Sequence, residues 1–197
     1  MELFIEKRKV VLDIYERYKE KIPNLREDIQ ANASKMLMSK DRHVSFYGMF
    51  LPHEDMKYAV VAYKGKLVQN SETADFKYYF DNQNRVVLTE RYGEHDIFFF
   101  YLEDCVEIVW YHRKRNRINI IARLDLSEDK INKFLETRNL VENVEETNRD
   151  FSFYEYTYQY KENELELHYQ SRYMMSDGRL REGSKIERYR YPDHHSS

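Results

Sequence analysis

The sequence predicts an α+β fold in which two N-terminal helices precede a large antiparallel meander, with a partly closed barrel as the variant. Three observations carry this expectation. The hydrophobic period is 3.6 up to about residue 40 and 2 from about residue 44 onward. The turns between apolar segments are short, and short connections force antiparallel neighbours. Aromatic residues are abundant, with 18 Tyr and 11 Phe in 197 residues, and they fall in alternating runs that suit strands.

The helical region comes first. Val11, Ile14, Tyr15, Tyr18 and Ile22 recur at spacings of three and four, so 2–22 reads as an amphipathic helix closed by Pro23. Asn24 with Glu27 has the spacing of a capping box and predicts a second helix ending near Lys40. Strands are then expected at 44–51, 57–63, 74–80, 85–92, 97–102, 105–112 and 117–125. Asp81-Asn82-Gln83-Asn84 is the clearest turn, because Asn and Asp accept left-handed backbone where glycine is missing. The segments 97–102 and 105–111 are apolar on both faces, as the centre of a covered sheet must be, and the helical pair is the natural cover. Ile118, Ile120, Ala122 and Leu124 alternate with Arg117, Asn119, Ile121 and Arg123, which predicts a strand mostly buried on one side only.

Ser127-Glu128-Asp129 reads as the start of a short helix over 128–138, with Ile131, Phe134 and Leu135 on its apolar side. The acidic stretch 141–150 is a candidate linker. Strands resume at 151–161, 164–174 and 185–191, and Asp177-Gly178 is a hairpin signal. One domain over 1–191 is expected, with helices in 2–40, sheet in 44–191 and a disordered tail at 192–197.

Composition bounds function. Net charge is −3, from 32 basic and 35 acidic residues, which disfavours a dedicated nucleic-acid binder. A single cysteine cannot form an internal disulfide, and no apolar run approaches the ~20 residues of a membrane span, so a cytoplasmic, bacterial setting without membrane contact is the expectation. The five glycines are isolated, which leaves no phosphate loop or dinucleotide fingerprint, and no cofactor is expected. Cys105 follows two acids, the wrong setting for a nucleophile. Neither HExxH nor paired Cys/His spacing occurs, so no metal is expected. Glu164 and Glu166 share a strand face and read as its solvated half.

What remains is a binding surface. Tyr154, Tyr156, Tyr158 and Tyr160 alternate, so four phenol rings lie on one strand face while the reverse turns polar. Tyrosine combines apolar area with a polar tip and is enriched at interface hot spots, although the same face can equally be the ordinary inner face of the sheet. Trp110 precedes a basic tip that includes Arg113 and Arg115, a second candidate contact, although such a tip can equally be a solvated turn. The function expected is therefore a non-enzymatic binding protein with a protein partner, an immunity-type protein being one such class. The alternative is a curved sheet holding an apolar small molecule.

Overall fold

The computed structural model describes residues 2–41, 66–128, 130–138, 152–174 and 179–191. Two helices, α1 (Glu2–Tyr18) and α2 (Ile22–Asn32), lead into eleven strands. These are β1 (Lys35–Lys40), β2 (Lys66–Leu67), β3 (Phe76–Phe80), β4 (Val86–Arg91), β5 (His95–Tyr101), β6 (Cys105–His112), β7 (Arg117–Ser127), β8 (Lys130–Arg138), β9 (Phe153–Tyr160), β10 (Glu164–Met174) and β11 (Leu180–Arg190). They form one open antiparallel sheet in the order β11-β10-β9-β8-β7-β6-β5-β4-β3-β1-β2. From β3 to β11 every strand pairs with its neighbour in sequence. The sheet is not closed into a barrel.

Both faces of this sheet are buried. On one, Val11, Ile14, Tyr18 and Ile22 of the helices pack with Tyr79, Leu88, Phe98, Val109, Ile121, Leu135 and Phe153. Tyr18 stacks on Phe100 with ring centroids 3.9 Å apart. On the other, which we call the inner face, Phe80, Ile97, Phe99, Ile108, Leu124, Phe134, Tyr158, Leu165 and Leu167 form a second core. No described helix lies over that core. Twisted sheets of this width curl, and curling brings the side chains of one face together.

Buried carboxylates tie the helices down. Glu107 is 1% exposed and accepts from Arg17 Nη1 at 2.6 Å on both oxygens and from the Tyr18 hydroxyl at 2.8 Å. Glu155 takes Lys7 Nζ at 2.7 Å, and Glu90 takes Arg26 Nη2 at 2.7 Å. Burial, followed by the bond to Glu107, pushes the Tyr18 phenol up to about 12.

Several expectations are corrected. The first helix stops at Tyr18 and Pro23 opens α2, where its missing N–H and fixed φ fit the first turn. The expected Asn24 cap is absent, and α2 ends at Asn32. Residues 35–40 are strand, because pairing along β3 from Lys35 opposite Phe80 to Ser39 opposite Phe76 outweighs the helix propensity of Met and Leu. The helix expected at 128–138 is strand β8. Phe134 and Leu135 are both buried, but against opposite cores; an apolar run this short fits either period. A bulge in β6–β7 between Trp110 and Tyr111 sends Ile118 to the helix face and leaves Ile120 opposite Trp110, so β7 is buried on both sides. The expected strands 44–51 and 57–63, the 141–150 linker, the Asp177-Gly178 turn and the 192–197 tail lie outside the described residues.

Candidate binding surface

Strand β9 enters beside α1. Its helix-side residues Phe153 and Glu155 are buried, with Lys7 Nζ 4.4 Å from the Phe153 ring. The predicted tyrosines take the inner face. Tyr158 is fully buried in the inner core, Tyr156 packs against that core, Tyr154 is half-buried and Tyr160 is 36% exposed. The Tyr160 hydroxyl donates to the Ile131 carbonyl at 2.8 Å, which anchors that ring to β8. The ladder is thus core at Tyr158, exposed at Tyr160 and half-buried at its Tyr154 end.

The Tyr154 end is enlarged by β10. Register sets Tyr156 opposite Tyr169, and their ring centroids are 5.1 Å apart. Tyr154 lies 6.4 Å from both Tyr169 and Tyr173, near parallel to each. Lys185 of β11 places its ammonium 5.3 Å from the Tyr169 ring. Four half-buried phenols and a cation therefore share one patch. Tyr169 and Tyr173 escaped the sequence reading because their partners on β9 are visible only once β9–β10 register is known. Their alternation within 165–173 was the available signal.

The basic tip does not join this patch. Trp110 and Tyr111 point to opposite faces: Tyr111 belongs to the helix-side core, and Trp110 packs on the inner core. Arg113 Nη1 bonds Asp96 Oδ1 at 2.8 Å, so this arginine neutralises a carboxylate that is 1% exposed. Lys114 pairs with Glu94, and Arg115 is exposed. The basic residues of β11 are likewise engaged in part, with Arg188 on Glu166 at 2.8 Å and Lys185 on Glu187 at 2.6 Å.

Trp110 keeps different company. Its ring meets the edge of His95 at 5.4 Å, and the Arg91 guanidinium lies 5.5 Å from it. His95 stands opposite His112, their ring centroids 4.5 Å apart. Burial first, then His112 and Arg91, hold the His95 pKa below its ordinary value.

The remaining candidates resolve simply. Cys105 is buried, and burial pushes its thiol up to about 11, away from nucleophilic chemistry. Glu166 is a correction: it is buried, not solvated. Bonds from Lys161, His168 and Arg188 draw its pKa down to about 2. Among the described residues no group of three or more His, Cys, Asp or Glu is placed to hold a metal, and no helix is long and apolar enough to cross a membrane. A shallow depression of about 280 Å³ beside Arg172 and Gly183 is small and open for a ligand pocket. Comparison with protein-family models, curated proteins and solved structures returns no match to this chain.

Proposed function

We propose that the protein is a binding protein whose contact surface is the inner-face patch of Tyr154, Tyr156, Tyr169 and Tyr173, with Lys185 at its margin, and that its occupant is another protein, as in an immunity-type complex. The observation that carries this reading is the half-open state of four mutually packed tyrosines on a face that no described helix covers. Rigid phenols offer large contact area at little entropic cost, and their hydroxyls keep the patch soluble before it is covered. The reverse of β9 is closed by Lys7 and α1.

The test is capture of a partner from the source cell by the tagged chain, repeated with Tyr154→Ser/Tyr169→Ser. A one-to-one complex that the double variant loses by about tenfold or more supports the reading, since hot-spot truncations cost ≥ ~2 kcal/mol. A partner held equally well by the variant would overturn it. Native mass spectrometry of the purified chain separates the alternative: a bound apolar molecule, released by the same double variant, assigns the face to a ligand instead.

A further inference from the structure

The sheet ends on a strand whose outer edge no other described strand covers. β11 stands last in the strand order, and β10 takes one of its two edges. Their pairing runs from Glu164 opposite Arg190 to Met174 opposite Leu180 without a register shift. Residues 180–186 are all exposed, Ile186 by 56%. Natural edge strands are kept from pairing by shortness, proline, bulges, cover or charge. β11 has eleven residues, no proline and no bulge, so among the described residues charge alone guards it.

The Tyr191 amide bonds the Asn163 carbonyl at 3.1 Å, which fixes the parity of the strand. Antiparallel neighbours exchange bonds at alternate residues. The odd-numbered residues of β11 therefore bond β10, and the N–H and C=O groups of Glu182, Ser184, Ile186, Arg188 and Arg190 point outward. Such an edge accepts a further strand through main-chain bonds. A second copy of β11, antiparallel about a two-fold axis through any one residue, offers the same even-numbered groups in return.

Charge order selects the register, since like charges directly opposite one another destabilise a sheet. An axis at Lys185 sets two ammonium groups face to face, and an axis at Glu187 sets two carboxylates so. An axis at Ser184 lays the exposed Ile186 opposite Glu182. An axis at Ile186 sets Lys185 opposite Glu187 and Glu182 opposite Arg190, each twice by symmetry, with no like pair. Lys185 already reaches Glu187 at 2.6 Å within the chain, so these groups would alternate in sign across the axis. The same register closes Ile186 on its own copy and lays Tyr189 opposite Gly183, the cover that an edge glycine lacks. We propose that β11 is a homodimer edge, two copies pairing antiparallel about Ile186 and continuing the sheet through the two-fold axis. Lys185 also borders the tyrosine patch, but this proposal does not depend on that reading, because self-association is measured in the purified chain alone.

The test is sedimentation equilibrium of the full chain from about 1 to 300 µM, a span that covers weak and firm pairing. The expected result is a reversible monomer–dimer equilibrium, with amide exchange at Ser184, Ile186 and Arg188 slowed at the higher concentrations. Ile186→Pro removes an outward N–H and leaves the bonds to β10, so it should weaken the dimer about tenfold or more. Lys185→Glu sets acids opposite Glu187, and Glu187→Lys sets ammonium groups opposite Lys185, so each variant alone should be monomeric. Mixed, the two should form a heterodimer, because every facing pair is then of opposite sign; this arm decides the matter even if Ile186→Pro does not fold. A wild-type chain that stays monomeric at the highest concentration overturns the proposal, as does a mixture that stays monomeric. A dimer that the β11 variants leave unchanged and Tyr154→Ser/Tyr169→Ser abolishes overturns it too, and moves self-association to the inner face.

Discussion

At the scale of single residues, the sheet's helix side is governed by carboxylates that have lost their water. Glu107 is held by Arg17 and Tyr18, so removing the arginine strands a charge in the interface. Arg17→Met should therefore cost about 1–3 kcal/mol by urea unfolding, the usual cost of leaving a buried group short of a partner. Lys114→Ala, which removes an exposed partner of Glu94, should stay within about 0.5 kcal/mol. Equal losses would show that Arg17 is merely a surface pair. Asp96 gives a pH signature. Burial raises its pKa to about 6, with Arg113 and Arg26 opposing and Glu90 assisting. Its contribution is present below about pH 4 and is lost as pH rises through 6, because the folded state binds the proton more tightly. Glu166, lowered to about 2, contributes in the opposite sense, above about pH 4.5, and loses its effect as pH falls toward 2. Asp96→Asn should flatten the stability profile between pH 4 and 6, and Glu166→Gln should flatten it below 4.5.

At the scale of elements, the sequence was most informative where period and turn chemistry agreed. The Asp81–Asn84 turn forms as its residues require: Asp81 Oδ1 accepts from the Gln83 and Arg85 amides at 2.9 Å each, and Asn84 takes φ of 59°. Asn84→Gly should then be neutral within about 0.5 kcal/mol, while Asn84→Val should cost about 1–2 kcal/mol, read from denaturation midpoints. A tolerated valine would mean that the turn relaxes without cost. Elements failed where tertiary pairing decided. Residues 35–40 carry helix-tolerant Met and Leu and become strand only by lying along β3. Residues 130–138 place Ile131, Phe134 and Leu135 at helical spacing, yet both strand faces are buried, so spacing alone was ambiguous. The tyrosine run was legible as a strand face; its gradation from core at Tyr158 to half-buried at Tyr154 and exposed at Tyr160 depends on neighbours that no local pattern encodes. The facing of His95 and His112 could have been found. The Glu103-Asp104 turn sets Tyr101 against Val106, and the same register carried six residues outward sets His95 against His112.

At the scale of the whole molecule, contacts fall into two populations. From β3 to β11 the sheet is built by pairing strands adjacent in sequence, so most steps need only a short loop, the exception being residues 139–152 between β8 and β9. The helices are attached by contacts of another range: Arg17 to Glu107 spans 90 residues and Lys7 to Glu155 spans 148. Loop entropy for these is offset only after the sheet presents Glu107 and Glu155 in register, which places helix docking late in folding. Ile14, 1% exposed at the helix–sheet core, tests this order. Ile14→Ala should destabilise by about 3 kcal/mol, within the range for a large-to-small core change. That loss should surface mainly as faster unfolding, with φ below about 0.3 in stopped-flow chevrons. Ile121→Val, at the centre of β7, should instead slow refolding, because its cross-strand partner Val109 is recruited by a local hairpin. If Ile14→Ala slows refolding as strongly as Ile121→Val, the helices dock with the nucleus, and the sheet does not form without them.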